Sequence, residues 1–341
     1  MQQAFERVLE TRPEAVRTLG FAFAGRPVRM RVLGRNLSEG LCRPFAHLAD
    51  AAPSPANPQL TVDSWDEQGA AVSWWPPASG AASESAFPFE DGVFRSSPDG
   101  RFVLYEKATS LSGLDRAEGR MVGWWREGRS LSVDDRAKPL SALLSLWHAD
   151  HGALVIHGSL VCKGGRGLLF AGPAGSGKST AALACLCAGF QYLGDDYVGL
   201  EVAGNGACVG HSLYDSVRLA PEHLARFPEL AAHAVGGRGG GSEKALAFAS
   251  QAFPGRSLRS APICVLALPR VAGGAECRAV PVSKGKALLR LAYSSLRIPP
   301  SPEGAMERLA GLVERVPTYW LELGGRVDEI ARCAERLLTE A

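Results

Sequence analysis

Cysteine pairs at the spacing of a metal-binding motif are missing from this chain. Its eight cysteines, at positions 42, 162, 185, 187, 208, 264, 277 and 333, are scattered with no C-x-x-C pair. A metal cage or a disulfide scaffold needs closer, paired spacing, so both are excluded. A charge excess is missing too: 37 Lys+Arg stand against 35 Asp+Glu, a net charge of +2. The chain therefore exerts no general electrostatic pull on nucleic acid or anionic lipid. No apolar run approaches the ~18–20 residues of a membrane span, and no repeat of about 20–50 residues suggests a solenoid or propeller. The opening MQQAFERVLETRPEAVR has acids and no apolar block, unlike a secretory signal. The expectation is a cytoplasmic protein with reduced thiols and neither nucleic acid nor membrane as partner.

What is present is enough chain for two domains: 341 residues, at ~100–200 residues per domain. Residues 1–137 read as short strands between turn signals, at 28–33 (VRMRVL), 59–65 (QLTVDSW), 71–75 (AVSWW) and 101–106 (RFVLYE). The last follows Ser-Pro-Asp-Gly at 97–100, which is hairpin-turn chemistry. Pro-, Ala- and Ser-rich stretches at 51–58 and 76–85 read as loops. This predicts a smaller, mostly-β or α+β N-terminal domain. Five of its aromatics (Trp65, Trp74, Trp75, Trp124 and Trp125) suit the core of a small sheet better than a ligand-stacking surface, because large aromatics dominate burial.

At residue 138 the pattern changes. In 139–150 (PLSALLSLWHAD), Leu140, Leu143, Leu144 and Trp147 fall at i, i+3, i+4 and i+7, which predicts a helix with one apolar face. Strand-like and helix-like segments then alternate to the end, so 138–341 is predicted to be an α/β domain.

The strongest chemical signal lies in that second half. Residues 172–180, GPAGSGKST, fit G-x-x-x-x-G-K-[ST] in full, after an apolar strand and before a helical stretch. Glycines let the backbone fold tightly enough for several N–H groups to converge on one anion, and the following helix adds the positive end of its dipole. Gly172, Pro173, Ala174, Gly175, Ser176, Gly177, Lys178, Ser179 and Thr180 are therefore the predicted ATP-binding residues. Lys178 would reach the β- and γ-phosphates, and the Ser179 hydroxyl would ligate Mg²⁺. A fortuitous glycine turn is the competing reading, and the complete match in strand–loop–helix context outweighs it.

Seventeen residues beyond Lys178 two carboxylates, Asp195 and Asp196, follow a short apolar strand. Two adjacent acids there offer two roles, one holding metal and one taking a proton from an attacking hydroxyl. Asp195 is assigned to the proton and Asp196, with Ser179, to the metal. The chain has neither an LSGGQ-like helix start after the loop nor a guanine-reading NKxD, which leaves a small kinase or hydrolase.

The stretch 156–200, IHGSLVCKGGRGLLFAGPAGSGKSTAALACLCAGFQYLGDDYVGL, resembles the catalytic core of the HPr kinase/phosphorylase family. It has a histidine on a strand, a short hairpin, GxxGxGKS, a helix, and then paired aspartates. The resemblance implies a P-loop core related to phosphoenolpyruvate carboxykinase that uses ATP and Mg²⁺ to phosphorylate a serine hydroxyl. It also implies assembly into homo-oligomers. It places His157, Lys178, Ser179, Asp195 and Asp196 on the family's functional positions. Residues 254–256 (PGR) precede a strand as in that family, which marks Arg256 as a catalytic candidate with Arg259 as its rival. The family's Glu-x-Arg-Gly-x-Gly segment is absent. Glycine-rich 235–242 (VGGRGGGS), with Arg238, occupies that region, and the N-terminal half is unlike the family's. These departures point away from HPr as substrate. They point toward a divergent branch resembling lasso-peptide precursor kinases, with a serine-bearing peptide or protein as acceptor. A nucleotide-gated regulatory module and a small-molecule hydroxyl kinase are the other readings of the same residues.

Overall fold

The computed structural model describes residues 1–11, 13–49, 55–70, 85–236, 244–274, 276–298 and 303–340. The chain divides into two compact units, Met1–Asp150 and His151–Ala341, each of mixed α/β architecture around a large mixed sheet. Among the described residues no helix is long and apolar enough to cross a membrane.

The first unit is built on an eight-stranded sheet. Its strands run in the order Val16–Phe23, Arg26–Leu33, Leu60–Asp66, Arg120–Trp125, Ser110–Asp115, Phe102–Lys107, Gly92–Ser96, Ser85–Phe89. Leu60–Asp66 is parallel to both its neighbours, and the other pairings are antiparallel. The turn at 97–100 does join two antiparallel strands, with Gly100 at φ 69° and its N–H donating to the Ser97 carbonyl at 2.9 Å. Trp65, Trp124 and Trp125 are buried as sheet core. The expected strand 71–75, with Trp74 and Trp75, lies outside the described residues. The division between units falls after Asp150, whereas the sequence places it at 137/138. The helix between, Ser141–Asp150, packs on the first unit's strands Phe102–Lys107 and Ser110–Asp115. It is buried nearly all round, from Ala142 to His148, rather than along one face.

In the second unit the strand path is Arg166–Ala171, Leu154–Lys163, Tyr197–Val202, Cys208–Ser212, Ser260–Val271, Thr318–Leu323, Arg278–Pro281. The short strand Gln191–Gly194 also pairs with Leu154–Lys163. The long strand Ser260–Val271 bonds first to Cys208–Ser212 and then, in parallel, to both Arg166–Ala171 and Thr318–Leu323, so the sheet folds back on itself. Side chains alternate across it as strand geometry requires. Val161, Leu168 and Phe170 face one apolar cluster, while Leu160, Cys162 and Leu169 face another. The first cluster is closed by helix Lys178–Cys187 and the C-terminal helix Val327–Glu340. The C-terminal helix thus spends its apolar face, Ile330, Ala334 and Leu337 among others, within its own chain. Helix Lys178–Cys187 is apolar all round and buried from Thr180 to Leu186, which fixes its N-terminus rigidly at the end of strand Arg166–Ala171.

Candidate active site

The predicted phosphate loop is folded as a loop between strand Arg166–Ala171 and helix Lys178–Cys187. Gly177 occupies the left-handed position before the helix, at φ 101°, and a Cβ there would collide with Leu323. Gly175 (φ 79°) is left-handed with open space around it. Only glycine suits the first position on both counts, and the second keeps the loop's amide edge uncovered. Lys178 is buried, and its ammonium donates to the carbonyls of Gly172 at 2.9 Å and Pro173 at 3.1 Å. Burial lowers its pKa and nearby Lys244 adds to the effect, while Asp195 and Asp196 oppose it.

Strand Gln191–Gly194 delivers the two aspartates into a tight turn before Tyr197–Val202. Asp196 has φ 65°, a left-handed geometry that aspartate tolerates better than most residues. Two backbone bonds pin the turn: Tyr197 N–H donates to the Asp195 carbonyl at 2.8 Å, and Gly158 N–H to the Asp196 carbonyl at 3.1 Å. The adjacent carboxylates consequently meet different surroundings. Asp195 is only 3 % exposed. Its Oδ1 accepts from Ser179 Oγ at 3.0 Å and from Ser159 Oγ. Burial, and then the Asp196 charge, raise its pKa, against the pull of those two hydroxyls and Lys178. The Asp196 side chain is 23 % exposed. Its Oδ1 lies 3.6 Å from His157 Nε2 and its Oδ2 accepts from Arg218 Nη2 at 3.0 Å. The His157 backbone N–H donates to Ser295 Oγ at 3.2 Å, and residue 157 pairs with Tyr197 across the strands.

The structure thus brings Lys178, Ser179, Asp195, Asp196 and His157 together at the N-terminus of one helix. Ser179 is paired there with Asp195, whereas the sequence reading grouped it with Asp196 as metal holder. Arg256 is not part of this group. Its Nη1 donates to the Gly189 carbonyl at 2.5 Å, just past the C-terminus of helix Lys178–Cys187. Ten residues of helix at ~1.5 Å each put that carbonyl about 15 Å from the loop. The Pro-Gly-Arg turn therefore caps the wrong end of the helix for an arginine meant to meet a phosphoryl group. Arg259 contributes its carbonyl to Ser212 N–H at 2.8 Å, and Arg238 lies outside the described residues.

Three partners were not read from the sequence. Ser159 stands two residues from His157 on one strand, so period-two alternation puts both on one face and offered a signal. Arg218, on strand Ser216–Leu219, and Lys244, just before strand Ala245–Phe248, reach the site through a two-stranded sheet that no local pattern announces.

The residues fit a Mg-nucleotide. Among the described residues, Ser176 Oγ at the loop is buried with no hydrogen-bond partner, a donor left for a ligand. No cluster of three or more His, Cys, Asp or Glu is found among the described residues. The Ser179 hydroxyl beside the Asp195 carboxylate is a donor set suited to Mg²⁺, which keeps water and phosphate oxygens and takes only one or two protein carboxylates.

No family model matches the chain, and no curated protein matches it. Among solved structures it is similar to the HPr(Ser) kinase/phosphatase from Coxiella burnetii, at 14 % identity and a TM-score of 0.31, over 55 % of this chain and 92 % of that one.

Proposed function

We propose that the chain is an ATP- and Mg²⁺-dependent kinase that transfers the γ-phosphoryl group to a hydroxyl, a serine of a peptide or protein. The observation that carries this reading is the pairing of Ser179 with buried Asp195 beneath a complete phosphate loop, while Asp196 faces the open side beside His157. Ser179 and Asp195 would hold the metal, exchanging the roles that sequence order suggests for the two aspartates. Bound there, Mg²⁺ supplies charge neutralisation on the phosphates. Lys178 binds the β- and γ-phosphates with the loop amides. Asp196 accepts the proton of the acceptor hydroxyl, and its accessibility suits that role better than Asp195's burial. Arg218 and His157 hold the Asp196 carboxylate in place from two sides. Positioning and charge carry most of such a reaction, so few groups suffice.

The test is incubation of the protein with γ-labelled ATP, Mg²⁺ and a lysate of its own source, beside Lys178→Ala and Asp196→Asn. Label recovered as phosphoserine on one peptide or protein, and lost in both variants, is the expected result. Tight nucleotide binding with no transfer to any component would instead assign a nucleotide-gated module. Label on a small metabolite would assign a small-molecule kinase.

A further inference from the structure

Helix Lys284–Ser295, in the second unit, carries cations without acids. Residues 284–298 hold Lys284, Lys286, Arg290 and Arg297 and no Asp or Glu. Lys284 is spent on the fold, donating to the carbonyls of Val313 and Val316 at 2.6 Å each. The other three are exposed, and among the described residues no carboxylate pairs with them, not even Glu307 or Glu314 of the neighbouring helix Ala305–Arg315. Lys286, Leu289, Arg290 and Tyr293 fall at i, i+3, i+4 and i+7, one face of the helix. The opposite face, with Ala287, Leu291 and Ser295, is buried. Leu289 is 71 % and Tyr293 63 % exposed. Arg297, just past the helix end, lies over the Tyr293 ring at 5.7 Å, and Arg290 over Trp320 at 5.6 Å. A guanidinium stacked on a ring keeps its in-plane N–H groups for a carboxylate. The complement of this ridge is an anionic segment with an apolar side chain.

The ridge meets the candidate active site at two points. Arg290 lines, with Val271, a cavity of about 330 Å³ whose other wall is the phosphate loop from Gly172 to Ser176. At the helix end Ser295 Oγ accepts from the His157 backbone N–H at 3.2 Å, and the His157 ring stands beside Asp196. Lys286 to Arg297 spans about 16 Å at ~1.5 Å per helical residue. That is the length of about five residues of extended peptide at ~3.3 Å each. A membrane surface fits less well, since three cations fall short of the ~4–8 of polybasic lipid recognition.

We propose that this face docks the acceptor, through an acidic segment of about five residues with one apolar side chain, next to the serine of a peptide or protein. Carboxylates engage Lys286, Arg290 and Arg297, and the apolar side chain covers Leu289 and Tyr293. The proposal names the substrate class of the kinase reading and rests on it, and the test separates the two. Two fluorescent synthetic peptides are the probes: a serine beside a leucine and about five acidic residues, and the same peptide with each acid replaced by its amide. Phosphatidylserine vesicles are the third. Binding is followed without nucleotide, and label transfer from γ-labelled ATP with Mg²⁺ in parallel. The proteins are the unaltered chain, a face variant combining Lys286→Ala, Arg290→Ala and Arg297→Ala, and a control of equal net charge combining Arg35→Ala, Arg129→Ala and Arg332→Ala. All six side chains are exposed, so both variants keep their cores. The unaltered chain and the control should bind the acidic peptide about tenfold more tightly than the amide peptide, and the face variant should not. Label should follow the same order. Equal affinity for the two peptides, equal loss in both variants, or binding of the vesicles in place of the peptide overturns the docking face. Label passing equally to both peptides overturns it too and leaves the kinase reading standing. Acidic peptide held at the face with no label transferred overturns the kinase reading and leaves the docking face standing.

Discussion

Two carboxylates buried in different units show how the same side chain serves opposite ends. Asp63 in the first unit is fully buried, and Arg31 grips it with two hydrogen bonds, at 2.7 and 2.9 Å, while Arg120 adds a third at 2.9 Å. The two cations stand on the strands either side of it, with Glu6 as their second, more exposed anion, so the Asp63 charge is answered by the fold. Asp195 in the second unit is almost as deeply buried, yet its bonded partners are two hydroxyls. Lys178, the cation whose charge acts on it, donates to loop carbonyls instead. A buried charge left short of counter-charge costs stability, and a fold keeps it where a ligand will supply the rest. A divalent ion at Asp195 and a triphosphate at Lys178 would do so.

That contrast can be broken by substitution. The largest effects belong to chemistry: Lys178→Ala and Asp196→Asn should each lower phosphoryl transfer by at least about 100-fold, read as initial rates of label incorporation. Next in size is Asp63→Asn, which removes the buried anion and leaves Arg31 and Arg120 with the partly exposed Glu6 alone. It should cost about 3 kcal/mol in chemical denaturation, at the low end for a broken buried pair because both arginines keep one side in water. Asp195→Asn should move stability the other way, raising it by about 1 kcal/mol while abolishing metal-dependent transfer. Its advantage depends on pH in a defined direction. The Asp195 pKa is raised in the fold, so below the ordinary carboxylate range folded and unfolded chains both hold the proton and no penalty exists. As pH rises through the folded value the penalty develops in the unaltered protein and not in the variant. The difference in denaturation midpoints should therefore widen from about pH 4 toward neutrality. Smallest is Arg256→Ala, which removes one exposed bond to the Gly189 carbonyl. It should cost at most about 1 kcal/mol and leave label transfer within about twofold, since the arginine stands at the far end of the helix.

The site was legible in the sequence where its parts are local. The phosphate loop needs glycines at fixed offsets and a lysine and serine at the helix start, all within nine consecutive residues, and the aspartate pair follows one helix and one strand later. The different surroundings of the two carboxylates were not legible, because they turn on Asp196 adopting a left-handed backbone. Arg256 misled for the opposite reason: a three-residue motif sits where pattern expects it, but a ten-residue helix separates it from the loop. Among the fold's elements, the strand at 28–33, with alternating burial, and the strand at 59–65, buried on both faces, were readable, and Ser141–Asp150 was readable as a helix. Its burial on nearly every side, and hence its place in the first unit, depends on partners such as Phe23, against which Trp147 and His148 pack.

The central claim is that the loop amides, Lys178 and the Ser179–Asp195 pair grip a triphosphate with its metal. Calorimetric titration of the folded chain with ATP, with and without Mg²⁺, tests it most directly. The account predicts one saturable site that tightens with Mg²⁺ and disappears in Lys178→Ala. No saturable heat in the unaltered, folded protein, or equal binding by Lys178→Ala, would contradict it.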